Sequence, residues 1–105
     1  MESDVYALAV WKVKAGQEES FIAGWKEGGA FVFTLPSPPV APYLLIQSLE
    51  DPTLFYSFGA WKSLEDVQAM RAHPRTGEII GKLVPLCEQA SPGGAFRVVA
   101  SAPET

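Results

Sequence analysis

With one cysteine and one histidine, the sequence can form no internal disulfide and cannot surround a zinc ion with these two alone. Basic residues are scarce: 8 Lys and Arg stand against 12 Asp and Glu, a formal charge of −4. No basic stripe interrupts that balance, so the electrostatic footprint of a nucleic-acid or anionic-membrane binder is missing. No apolar run approaches the ~20 residues needed to span a bilayer. The acidic start Met1-Glu2-Ser3-Asp4 leads into no signal-peptide pattern. Gly28-Gly29 and Gly93-Gly94 lack the spacing and the lysine of a phosphate loop. These absences leave a soluble cytoplasmic protein, with neither nucleic acid nor membrane expected as a partner. Its 105 residues, 48% of them hydrophobic, suit one domain with a core from about 5 to 102, since two cores would each be marginal.

Val5 to Lys14 is rich in β-branched and aromatic residues and has the length of a strand. Its odd positions (Val5, Ala7, Ala9, Trp11, Val13) and its even ones (Tyr6, Leu8, Val10) are both apolar, which predicts cover on both faces. After the Ala15-Gly16 turn, Phe21, Ile22 and Trp25 recur at helical spacing, predicting a helix over Gln17–Glu27. Gly28-Gly29 costs roughly 2 kcal/mol against two alanines and weighs against its continuation to Thr34. Leu35 to Pro42 holds four prolines and reads as a stiff crossing loop. Tyr43–Leu49 and Leu54–Trp61 form a hairpin around Glu50-Asp51-Pro52-Thr53. Ser63 is a natural N-cap for a helix that Pro74 stops or bends after His73. Ile79, Ile80, Leu83 and Val84 form another apolar stripe, limited by Pro85. After a break at Pro92-Gly93-Gly94 comes a last strand, Ala95–Ala102, and a polar tail, Ser101–Thr105.

The order βαββαβ predicts an α+β, ferredoxin-like fold: an antiparallel sheet with helices on one face. The other face carries too many apolar residues to remain in water, which predicts a homodimer closed sheet to sheet.

Val10-Trp11-Lys12-Val13-Lys14-Ala15-Gly16, and Phe58-Gly59-Ala60-Trp61-Lys62-Ser63 after the hairpin, resemble the antibiotic biosynthesis monooxygenase-like family. The resemblance implies a dimeric α+β barrel over about Val5 to Ala102. It also implies oxidation of polycyclic phenols by molecular oxygen without metal or flavin. Quinone-forming members place an Asn and a Trp four residues apart on the third strand and an Arg on the following helix. Trp61 matches the Trp, whereas the Asn position falls on Ser57 and the Arg position near Ile80. The Asn, Trp and His of the haem-degrading branch fall near Ala9, Met70 and Gly81, so that activity is not expected.

Strand alternation puts Phe55, Ser57, Gly59 and Trp61 on one face of the third strand, predicting a slot with flat apolar walls for a planar aromatic. Leu54, Tyr56, Phe58 and Ala60 are expected to form the better-packed face. Trp61, Ser57 and Arg71 are the candidates for chemistry. Trp11, Phe55, Gly59, Trp25 and His73 are the candidates for binding. Trp11 and Trp25 also fit ordinary core positions, and His73 and Arg71 also fit a helix end that offsets the macrodipole. Cys87 has no basic neighbour to activate it and reads as a small buried hydrophobe. Nothing in the sequence specifies haem, flavin, nucleotide or metal, so no cofactor is expected. Two functions remain open: cofactor-independent oxygenation of an electron-rich aromatic, and non-catalytic ligand binding by the same scaffold.

Overall fold

The computed structural model describes residues 5–103; the acidic start and the end of the polar tail lie outside them. Four antiparallel strands, β1 (Val5–Val13), β2 (Leu44–Gln47), β3 (Leu54–Trp61) and β4 (Cys87–Arg97), form one sheet in the order β2-β3-β1-β4. Helices α1 (Glu18–Val32), α2 (Leu64–Ala72) and α3 (Pro74–Leu83) cover one face, and a 3-10 turn, Val84–Leu86, leads from α3 into β4. This is the α+β, ferredoxin-like arrangement expected from the element order.

Register decides which side chains meet the helices. β1 pairs with β3 as Ala7↔Gly59, Ala9↔Ser57 and Trp11↔Phe55, so the odd positions of both strands share the helical side. They pack there in two clusters. Trp11, Val13, Phe21, Phe55, Ile79, Leu83 and Cys87 form one, and Ala7, Val32, Trp61, Val67 and Met70 form the other. Phe21 is fully buried between Trp11 and Phe55, with ring centroids 5.2 Å from each.

Several boundaries differ from the sequence-based expectations. α1 runs through Gly28-Gly29 to Val32. A Cβ at Gly24 or Gly28 would come within 2.8 Å of Leu83 or 3.1 Å of Ile79, so these positions seat the two α3 side chains against the helix. That packing offsets the poor helix propensity of glycine. β4 begins eight residues earlier than expected, at Cys87, and passes through the glycine pair as a bulge opposite Leu8–Val10. Gly93 has φ +75°, and a Cβ there would meet the Leu8 carbonyl oxygen at 2.1 Å, so the bulge requires glycine.

The packing preference of the two β3 faces is also the reverse of the expectation. Phe55, Ser57, Gly59 and Trp61 are buried, while Tyr56 is 39% exposed. Around Tyr56, Leu44, Ile46 and Phe96 are about half exposed, leaving an apolar open face on the sheet. No helix among the described residues is long and apolar enough to cross a membrane.

Both helix breaks are capped. Ser63 Oγ accepts the Asp66 N–H at 3.1 Å, and His73 Nδ1 accepts the Arg75 N–H at 3.0 Å ahead of Pro74. At the opposite end of the molecule, the Lys12 ammonium and the Thr53 hydroxyl and N–H converge on Asp51. Led by the Lys12 contact, these hold the Asp51 carboxyl down to about 2. Unfolded aspartate titrates near 3.9, so this stabilisation is complete above about pH 4 and is lost as the pH falls toward 2. Asp51→Asn is expected to flatten the acid limb of the melting temperature against pH over that window. An unchanged limb would show that the cluster does not contribute.

Candidate functional site

Between the two core clusters the helical layer does not close on the sheet, leaving a cavity of about 500 Å³. Its volume follows from small residues set together: Ala7, Ala9 and Ser57 on the sheet and Gly28-Gly29 on α1 all line it. Trp11 and Trp25 supply flat walls, and Val32, Met70, Ile79 and Leu83 supply aliphatic ones. Such a chamber, apolar with a few convergent polar groups, suits a planar apolar ligand. The exposed lining residues are Arg71, Gly77, Ile80, Val84, Ala90 and Ser91. The mouth therefore lies between α3 and β4, with Arg71 at the end of α2 beside it.

Four side chains give the chamber its polarity. Ser57 is buried on the floor, and its Oγ accepts the Trp11 indole N–H at 3.1 Å. Tyr43 Oη accepts the Trp61 indole N–H at 3.2 Å, and no described residue accepts the Tyr43 hydroxyl proton. Burial pushes the Tyr43 phenol up more strongly than the Trp61 N–H and the Arg71 charge pull it down, so Tyr43 stays a neutral donor. Arg71 Nη2 donates to the Gly94 carbonyl at 3.0 Å, which ties α2 to the β4 bulge. Arg71 is the only charged residue among the described lining residues, and Ser91 is the fourth polar one. Thr76 also borders the chamber, but its Oγ1 is closed off and adds no polar contact.

Trp11, Trp25, Ser57 and Arg71, four of the sequence-based candidates, meet at this cavity. The other four do not line it. Trp61 is fully buried behind Tyr43, its ring edge-on to the tyrosine at 6.1 Å. The slot expected beside Gly59 is occupied: a Cβ there would lie 2.4 Å from the Tyr43 ring. Phe55 belongs to the core and borders a separate groove of about 240 Å³ shared with Trp25 and Tyr43. His73 spends its Nδ1 lone pair on the α3 cap and lies edge-on to Phe31, with centroids 4.9 Å apart. Cys87 is buried beneath α3, where desolvation raises its thiol pKa despite the opposing charge of Lys14. Ile80, near the position implied for an arginine, stands at the mouth.

Tyr43 is the residue that sequence reasoning missed. It shares the parity of the inward-facing Leu45, and Gly59, opposite it one step beyond the Leu44↔Phe58 pair, leaves the space its ring requires. No group of three or more His, Cys, Asp or Glu among the described residues could hold a metal ion.

The chain matches no family model and no curated protein. Solved structures resemble it over nearly their whole length. The cofactor-independent oxygenase SnoaB from Streptomyces nogalater aligns with a TM-score of 0.81 at 16% identity, over 97% of this chain and 99% of that one. A Nitrosomonas europaea protein, provisionally named an antibiotic biosynthesis monooxygenase, aligns with a TM-score of 0.78 at 15% identity, over 100% and 97%. A Chloroflexus aurantiacus protein with the same provisional name gives 0.69 at 22% identity, over 96% and 97%. The chain thus has the fold of the antibiotic biosynthesis monooxygenase-like proteins, and at these identities the likeness extends to the fold alone.

Proposed function

We propose that the chain is a cofactor-independent monooxygenase acting on an electron-rich, planar aromatic. The observation that carries this reading is the pairing of one cation, Arg71, with an otherwise apolar chamber walled by Trp11 and Trp25. In such a site an ionised phenol or enol finds a counter-charge, while its rings leave water. The deprotonated substrate supplies the electrons. It reduces O2, the two combine to a hydroperoxide at the activated carbon, and loss of water leaves a ketone. In balance, a ring CH2 and O2 become C=O and H2O, and the protein shapes and dries the site.

In this reading no described lining residue serves as the base, and Arg71 favours the substrate's own ionisation. Oxygen uptake with anthrone is therefore expected to exceed the protein-free rate, to survive a chelator, and to follow the substrate's ionisation as pH rises. Uptake no faster than the buffer control would overturn the reading. Ser57, at the position the resemblance implies for Asn, and Ile80, near that implied for Arg, favour a second reading, a binding protein without turnover. Tight anthrone binding with no added uptake is its signature.

The proposal includes a homodimer, because the open sheet face presents Leu44, Ile46, Tyr56 and Phe96 to water. A core-like interface of roughly 2,000 Å² or more would remove them. Light scattering at micromolar concentration is expected to give twice the 11.4 kDa chain mass; a stable monomer would contradict it. The compartment proposed is the cytoplasm, where the lone thiol of Cys87 stays reduced.

A further inference from the structure

The structure assigns Gly77 of α3 a role that goes beyond its backbone: we infer that its missing side chain sets the width of ligand the cavity admits. A glycine within a helix costs stability relative to alanine, so its presence there calls for a reason. Seven of the other eight glycines fall into two groups that supply one. Gly16, Gly93 and Gly94 have positive φ, while Gly24, Gly28, Gly29 and Gly59 have packed atoms within 4 Å of an added Cβ. Gly77 and Gly81 have neither, for nothing lies within 4 Å of a Cβ at either position. Of these two, Gly77 alone lines the cavity.

Gly77 lies on the α3 side of the mouth, three residues before Ile80 and seven before Val84, which border the same opening. This spacing makes one helical stripe, and Gly77 is its gap. Across the mouth Ala90 and Ser91 are also small. Behind it, Trp11, Val32, Met70, Ile79 and Leu83 are buried and cannot yield without disturbing the core. A ligand that reaches the mouth therefore passes between Gly77 on α3 and Ala90 and Ser91 on β4. A ligand wide enough to reach from the chamber to its mouth meets α3 at Gly77, whereas a smaller one stays behind it.

This rests on the cavity being an aromatic-binding site, and the test separates the two claims. Quenching of tryptophan fluorescence is titrated with 1,8-dihydroxyanthraquinone, which has three rings, and with 2-naphthol, which has two. Gly77→Phe is expected to weaken the three-ring probe by about tenfold or more while leaving the two-ring probe within about threefold. Gly77→Ala stays close to wild type, and Gly77→Leu falls between. Gly81→Phe, on the same helix but outside the lining, should leave both probes unchanged, and melting curves confirm that every variant is folded. Wild-type affinity for the three-ring probe in folded Gly77→Phe would overturn the role of Gly77 alone. So would equal losses for the two probes. Wild-type protein that binds neither probe would overturn the cavity reading as well.

Discussion

Gly59→Ala is expected to destabilise the protein by about 3 kcal/mol, a fall in melting temperature of some 12–20 °C for a domain of this size. The added methyl would enter the face of the Tyr43 ring, 2.4 Å from two of its carbons. The ring cannot step aside, because it is packed between Trp25 at 6.2 Å and Trp61 at 6.1 Å. Displacing it would also remove the acceptor of the buried Trp61 N–H, which costs about 1–3 kcal/mol when left unpaired. Gly59→Ala/Tyr43→Ala is the diagnostic partner. If the clash is the cause, the double variant loses less than the two single losses added together, because each change relieves the other. Thermal melting of the four proteins decides it, and simple additivity would mean that Gly59 matters for another reason.

Arg71→Leu is expected to lower kcat/KM for a phenolic substrate by about 100-fold, close to 2.7 kcal/mol of lost stabilisation of developing negative charge. Arg71 is the one cation among the described lining residues, so no neighbour in the chamber replaces it. Its side chain is exposed at the end of α2 but also donates to the Gly94 carbonyl, so a melting curve of Arg71→Leu separates loss of that tie from loss of the charge. Steady-state oxygen uptake with the substrate ionised measures the effect. A loss of twofold or less would show that the substrate anion does not meet Arg71.

The element order and its consequence, an antiparallel sheet under helices, were legible in alternation, proline and caps, because those signals are local. Ser63, Glu65 and Asp66 opened α2 as their chemistry requires. Signals that failed were those overruled at long range. Gly28-Gly29 reads as a stop until Ile79 and Leu83 are seen packed on α1. Pro92-Gly93-Gly94 reads as a break until the close approach of the Leu8 carbonyl makes it a bulge. The site divided in the same way. Parity placed Ser57 and Trp11 on the helical face, and Ser57 Oγ does accept the Trp11 N–H. Parity also placed Gly59 and Trp61 there, but it could not say that Tyr43, arriving from a proline-rich loop, fills the space between them. The cavity lies instead over Ala7 and Ala9, small residues whose alternation in β1 carried the signal.

In the proposed reaction one atom of molecular oxygen enters the aromatic substrate in this chamber without a bound cofactor. Turnover of anthrone under 18O2, with mass spectrometry of the quinone formed, tests it most directly. One 18O atom is expected in the new carbonyl and none from labelled water when exchange is controlled, with protein-dependent formation that Arg71→Leu suppresses. Quinone formed at the same rate without the protein, or carrying oxygen from water, would contradict it.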